Sequence, residues 1–578
     1  MKLKTGLMAA AAVVAMTASA HAQDSSSMSN ADAIAQIKAL QARVEALEQQ
    51  LQGAKTKRGK HKTVVVVAAP PAQAEPVPSA TAANAEMAAK LQSVQDELQA
   101  YEERSQNDHT RLSTLEQNFN DTSWSFDNAR PTVKSGDGRF TMSFRVRLQV
   151  DSANFMQDSP TQLMASAPAA VRDLSSGALV RRAYFGVEGK AFNDFFYEFR
   201  LNGGGSNGSA GSGAAAGLVN GSEGDPLVNI ARVAYLGIPH FELNVGVIEP
   251  AFMFEGVTSS AQLPFLERPE IDNIAADTFG AGDSRRGIEI RYQKDSFLMP
   301  GDNLVLNAAF TGAKTGSSSG HGPGGDEQTQ LLGRASYRFW SDGVSNASIG
   351  TSIGDVMSPG SNAGAYNTLN FQDRPEIRVD GTRLISTGGI GAKSAFMYAF
   401  DAGANFNNFY VGGEYANFDA RRRSTTVAPV ASNADSPNFS GWYLEGSWVL
   451  TGEPKSYTVS ATNNEVGGFG APKVSAPFSW SGDSWGAWEL TARYSNTDLN
   501  WRSTSAAGSL YPTFQGGING GEERIVALGV NWYLNNNVKL QLNDLITSVD
   551  KFSSTTHDHA HDASQDFNTL ALRLQFTN

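Results

Sequence analysis

Ten cations stand where a single wetted surface could collect them. Arg145 and Arg147 alternate with apolar neighbours, Arg182 and Lys190 share the polar phase of a second stretch, and Arg200, Arg291, Arg334, Arg338, Lys539 and Arg573 recur at alternate positions facing away from apolar residues. A guanidinium presents a planar fork that meets carboxylate or phosphate oxygens bidentately, and a low-dielectric wall strengthens the attraction. The bland alternative is that several of these cations sit near rims and simply pair with carboxylates. The segment from Glu249 to Ser284 adds Arg268 near its middle, and Arg285 and Arg286 close its far end. The same segment carries Glu249, Glu255, Glu267, Glu270, Asp272, Asp277 and Asp283, which weighs against an affinity for anions.

These side chains need elements to hold them in phase. From Arg139 onward the period is 2: Phe140, Met142, Phe144, Val146, Leu148 and Val150 oppose Arg139, Thr141, Ser143, Arg145, Arg147, Gln149 and Asp151. The last segment repeats this, with Leu570, Leu572, Leu574 and Phe576 against Thr569, Ala571, Arg573 and Gln575. Similar stretches between them bring the number to about sixteen. One alternating strand does not separate a soluble sandwich from a barrel. The connections do: short ones, such as Ala191 to Asp194 and Trp340 to Val344, alternate with long Gly/Ser-rich ones such as 202–228 and 312–329. That is the habit of outer-membrane barrels, and an even strand number of this size leaves a water-filled lumen with no free edge. Residues 139–578 are therefore expected to form an all-β transmembrane barrel of about 16 antiparallel strands. One connection disobeys, because 451–484 is long where a short turn is due. Either it folds against the mouth or lumen, or the count is two strands low.

Composition narrows the remaining possibilities. The 578 residues include no cysteine, which excludes disulfides and cysteine-held metal centres. Mean hydropathy is −0.30, and beyond the N-terminus no run of 18 apolar residues offers a membrane-spanning helix. Lys2 and Lys4, the apolar stretch Leu7 to Ala15 and the small-x-small sequence Ala20-His21-Ala22 read as a signal peptide, residues 1–22. Residues 23–138 read as periplasmic helical coiled-coil segments. Ile37, Leu40, Val44, Leu47 and Leu51 form one seam, and Met87, Leu91, Val94, Leu98, Tyr101, Leu112, Leu115 and Phe119 form another. Between them a Pro/Ala-rich linker opens with Lys55, Lys57, Arg58, Lys60 and Lys62, which either contact an anionic polymer such as peptidoglycan or remain solvated.

Catalysis finds no support in the histidines. All eight lie outside the strand segments, so none sits on a barrel wall beside a serine as a hydrolase base would. The run His557-Asp558-His559-Ala560-His561-Asp562 has ligand chemistry but reads as a polar loop rather than a metal site. No phosphate-binding glycine loop or dinucleotide fingerprint is present, so no cofactor is expected. A net charge of −12 gives no nucleic-acid footprint.

Several segments carry a family likeness. Arg181-Arg182-Ala183-Tyr184-Phe185-Gly186-Val187-Glu188-Gly189-Lys190, Leu450-Thr451-Gly452-Glu453, Gly486-Ala487-Trp488-Glu489-Leu490, Arg493-Tyr494-Ser495, Leu528-Gly529-Val530-Asn531-Trp532-Tyr533-Leu534 and Leu572-Arg573-Leu574-Gln575-Phe576 together resemble the phosphate-selective porin O and P family. The resemblance implies a homotrimeric sixteen-stranded channel in the outer membrane of a Gram-negative bacterium, its third long loop folded inward and arginines lining an anion path. Thr577-Asn578 depart from the pattern, since such barrels usually finish on the aromatic residue. The expected function is passive diffusion of small hydrophilic solutes, anions such as phosphate foremost. A general or cation-preferring pore, and an occluded barrel that anchors the outer membrane to the cell wall, are the alternatives.

Overall fold

The computed structural model describes residues 80–157, 174–205, 228–281, 283–315, 325–362, 365–423, 436–458, 465–501, 517–551 and 564–578. The signal peptide, the first helical seam, the cationic linker and the His557 to Asp562 run lie outside them.

Two units make up the chain, divided at Asp121 and Thr122. In the first, helix α1 spans Ala80–Asn120. Met87, Leu91, Val94, Leu98 and Tyr101 form a half-buried stripe, whereas Leu112 and Leu115 of the same expected seam are exposed, and Glu86 and Lys90 pair one turn apart at 2.7 Å. The second unit begins earlier than the expected boundary at 138/139. Thr132–Lys134 pairs antiparallel with Thr141 to Ser143, and Ser123–Ser125 pairs onto it, so backbone hydrogen bonding draws residues 122–138 into the sheet.

Among the described residues of this unit, sixteen long antiparallel strands follow one another around a ring. They are β1 (Thr141–Gln157), β2 (Gly177–Ala191), β3 (Phe195–Asn202), β4 (Val228–Tyr235), β5 (Phe241–Ile248), β6 (Arg285–Asp295), β7 (Asn303–Lys314) and β8 (Thr329–Ser341). The ring continues through β9 (Asn346–Ser358), β10 (Ala392–Phe406), β11 (Phe409–Arg422), β12 (Asn438–Val449), β13 (Ala487–Trp501), β14 (Ile518–Tyr533), β15 (Val538–Asp550) and β16 (Gln565–Thr577). It closes where β16 pairs with β1, setting Arg573 opposite Asp151 and Leu574 opposite Val150. A sandwich leaves edges, and this ring has none.

The alternation explains which way each side chain points. On β16, Leu570, Leu572 and Leu574 are 44–50% exposed, whereas Thr569, Ala571, Arg573 and Gln575 are buried. The same outward apolar phase runs through Phe199, Ile290, Ile349, Leu444 and Leu528. In water that surface would drive aggregation; against hydrocarbon it matches its solvent. At the short-turn end aromatic pairs ring the wall: Phe140 with Phe192, Phe195 with Tyr235, Phe409 with Trp448, and Trp488 with Trp532. Such girdles mark the level of a membrane interface.

Among the described residues, three connections fold into the bore. The first, between β5 and β6, carries helix α2 (Glu270–Phe279) and buries Phe252, Phe265, Ile274 and Phe279 completely or nearly so. Helix α2 ends on Gly280 at φ 91°, where a Cβ would lie 2.3 Å from Arg285 Nε. The tight approach lets Arg285 donate to the carbonyls of Ala276 and Asp277 at 3.2 and 2.9 Å, a cation on the helix C-terminus. The second connection, 359–391, packs Phe371 against Phe279 and Phe418. The third settles the irregular segment after β12: Lys455–Tyr457 and Phe469–Pro472 pair with each other, not with the wall. This hairpin enters from the short-turn end, and Phe469 packs on Phe254 and Tyr410 inside the bore.

Candidate permeation path

Strands β1 to β3 and the first inward connection build a cationic wall. On β1, alternation turns Arg145 and Arg147 inward. Arg147 donates to Ser260 Oγ at 2.7 Å and Ser259 Oγ at 2.8 Å. On β2 a β-bulge interrupts the register opposite Gln149 and Val150, so both Arg181 and Arg182 point into the bore and both are buried. Strict alternation had assigned only Arg182 to this face. Arg182 donates to Gln149 Oε1 at 2.8 Å, and Arg181 forks onto Glu267 at 2.8 and 3.3 Å. Arg200 on β3 pairs with Glu249 at 2.7 Å, and the Tyr184 ring lies 4.7 Å from its guanidinium and 5.3 Å from that of Arg147.

Three adjoining chambers run along this wall. The outer one, about 90 Å³, is lined by Arg181, Arg182, Arg268, Lys314 and Arg378 against Glu249, Glu267, Asp277 and Asp283. The middle one, about 50 Å³, is lined by Arg147, Arg182, Arg200 and Arg268 against Glu249 and Glu465. The inner one, about 340 Å³, opens toward the short turns and gathers Arg130, Arg145, Arg147, Arg200, Lys473 and Lys539 against Glu465. Arg182, Tyr184, Glu249 and Arg268 line both outer and middle chambers, while Arg147, Tyr184, Arg200, Ser259 and Glu465 line both middle and inner ones. The middle chamber has room for only a few waters, so an ion there must exchange much of its hydration for protein contacts.

The remaining cations of the expected set serve differently. Arg291 is buried between Glu242 and Glu289, Arg334 is bidentate to Asp401 at 2.7 and 3.1 Å, and Arg338 donates to Asn346 beneath the Tyr457 ring. Arg573 forks onto Asp151 at 2.6 and 2.7 Å and meets Glu267 at 2.7 Å. None of these four lines the three chambers. Lys190 lies exposed at the short-turn rim. Asp283 pairs with Lys314 at 3.2 Å.

Arg286 takes the outward phase of β6 with Ile288 and Ile290, and pairs with Glu327 at 2.5 Å, so it does not face the bore. Arg286→Ala is accordingly expected to leave ion selectivity unchanged; a shift in reversal potential would place this residue on the path.

The inward connection is stitched to the wall by its own carbonyls. Gln149 donates to Ser260 O, Gln575 to Ala261 O, Lys539 to Leu263 O, Asn531 to Pro264 O, Arg573 to Leu266 O and Arg493 to Glu267 O. Arg268 holds the segment's own fold by donating to the carbonyls of Glu255 and Thr258. Burial alone would raise the Glu267 carboxyl, but Arg181, Arg182 and Arg573 hold it well below the usual carboxylate range. It therefore stays charged and keeps the loop pinned.

Sequence reasoning did not single out Arg181, Arg378, Lys473 or Glu465 as lining groups. The doubled arginine was the one visible signal for Arg181. The others sit on connections, where no strand phase exists to read.

Comparison with known proteins places the chain. It is 23% identical over 478 residues to porin O of Pseudomonas aeruginosa, covering 77% of this chain and 90% of that protein. Among solved structures, OmpF of Salmonella typhi (12% identity, TM-score 0.39) aligns over 76% of this chain and 98% of its own. OprB of Pseudomonas putida (8%, TM-score 0.39) aligns over 76% and 94%. The sequence profile of the phosphate-selective porin O and P family matches residues 165–577, all but the first strand of the barrel, and the chain belongs to that family.

Proposed function

We propose that this outer-membrane porin is a passive channel for small hydrophilic anions, with phosphate as the favoured solute. The supporting observation is the charge of the narrow chamber, four arginines against two glutamates, continued by the basic inner chamber. Guanidinium forks there offer hydrogen bonds to a tetrahedral oxyanion in a chamber too narrow to admit its full hydration shell. The net charge of the chain does not bear on this, because only charges within about a Debye length, ~8 Å in physiological salt, act strongly on a passing ion.

Family likeness supplies the trimeric assembly of this reading. Short turns face the periplasm in barrels of this class. Because β1 begins at the short-turn end, this reading puts the polypeptide before it on the periplasmic side, with the cationic linker either against the cell wall or solvated. Single-channel recording in a KCl gradient tests the transport reading. Chloride should carry the current, and added inorganic phosphate should inhibit it. Current carried by potassium, indifferent to phosphate, would overturn the anion assignment, and an absence of conductance steps would leave the chain as an anchor.

A further inference from the structure

The hairpin after β12 brings one acidic side chain into the cationic path. Gly467, at φ 76°, and Gly468 let its returning strand pass the first inward connection at close range: a Cβ on Gly468 would lie 2.9 Å from Thr258 Oγ1. Thr458 N donates to Gly468 O and Gly467 N to Thr458 O, closing the hairpin, and Ser336 Oγ on β8 donates to Gly467 O. Lys455 at its base pairs with Glu489 on β13 at 3.0 Å. The hairpin is therefore held from both sides, and the residue it presents at the junction of the middle and inner chambers is Glu465.

Arg145, Arg147 and Arg200 act on this carboxylate, and it hydrogen-bonds Ser259, the same serine that receives Arg147. Burial alone would raise the Glu465 carboxyl, but these partners hold it below the usual carboxylate range. It is thus a fixed anion seated among groups suited to bind a mobile one.

We propose that Glu465 is a tethered competitor for the permeating anion, a specificity-determining residue that lowers the affinity of the arginine cluster and so lets a bound oxyanion leave. The inference rests on the anion-channel reading above. Glu249 already neutralises Arg200 within the cluster at 2.7 Å, and a second carboxylate among the remaining guanidinium groups weakens their hold on an oxyanion further, because conduction needs sites that release as well as attract. A carboxylate on the inward hairpin partly neutralises the cluster without sealing it. The permeating ion then displaces one set of charge-assisted hydrogen bonds as it makes another.

The test compares wild type, Glu465→Gln, Glu465→Ala and Glu465→Asp in planar bilayers, with inorganic phosphate as the blocker of chloride current. Removing one charge roughly 8 Å from a passing ion, at an effective dielectric of about 80, should change anion-to-cation permeability by about fivefold. The Gln and Ala variants are therefore expected to favour anions about fivefold more strongly. They should also be half-blocked by phosphate at several-fold lower concentration. The Asp variant keeps the charge and should stay near wild type. Heat-modifiable electrophoretic mobility reports whether each barrel has formed, and two neutral variants guard against one failing to fold. Unchanged permeability ratio and half-block in the neutral variants of an anion-selective wild type would overturn the role of Glu465 alone. A higher half-blocking concentration would also overturn it, by showing that the carboxylate only orients the arginines. A wild type without anion preference would instead overturn the transport reading on which it rests.

Discussion

The double variant Arg147→Ala/Arg182→Ala should lose most of its preference for anions while remaining a folded barrel. The narrow chamber would retain Arg200 and Arg268 against Glu249 and Glu465, a balanced set where four cations had faced two acids. Each unit charge some 6–8 Å from an ion, at an effective dielectric of about 20 to 80, is worth roughly 0.5–3 kcal/mol, and the effect has opposite sign for anion and cation. Two such losses predict a fall in permeability ratio of at least about tenfold. The reversal potential in a KCl gradient would move close to zero. Folding should survive, because Arg147 binds serine hydroxyls and Arg182 binds a glutamine, while Glu267 keeps Arg181 and Arg573. An unchanged reversal potential would show that selectivity is set elsewhere in the bore.

Arg573→Ala should act in the opposite way, sparing the cationic chambers and releasing the loop that narrows them. Arg573 is wholly buried, and its fork joins Asp151 on β1 to Glu267 and the Leu266 carbonyl on the inward connection. Truncation leaves the Asp151 carboxylate buried without its partner, and breaking a buried pair in this way costs about 3–5 kcal/mol. The β16 to β1 ladder survives, since its hydrogen bonds are made by the backbone. The expected result is a barrel that assembles, shows heat-modifiable mobility lost at lower temperature, and conducts with larger and noisier steps as the loop detaches. Arg573→Lys should fall between, because one ammonium cannot reproduce a bidentate fork. Wild-type conductance and stability in Arg573→Ala would show that the other carbonyl stitches hold the loop unaided.

Both predictions depend on a distinction that strand phase does not make. Arg147, Arg291, Arg334 and Arg573 obey the same inward alternation, yet of the four only Arg147 lines any of the three chambers described above, while the others are consumed by Glu242 and Glu289, by Asp401, and by Asp151 with Glu267. Residues 573 and 151 stand 422 positions apart and meet only because the ring closes. The second inward connection, 359–391, had one local signal: Phe371, Ile377, Val379, Leu384 and Ile385 are too apolar for a segment facing water, and all five are buried. Its Glu376 meets Arg493 on β13 at 2.5 Å, a contact that no spacing announces.

The amino-acid order by itself determined the sixteen strands, their inward and outward faces and the alternation of short and long connections, because a period of two and the identity of turn residues are local properties of the chain. Tertiary structure alone decided where the bulge turns Arg181 inward, which cations are cancelled by distant carboxylates, and that a hairpin from the short-turn end carries Glu465 into the arginine cluster. Those outcomes depend on which side chains share a low-dielectric interior after closure, and Coulomb interactions there follow distance in space rather than separation along the chain.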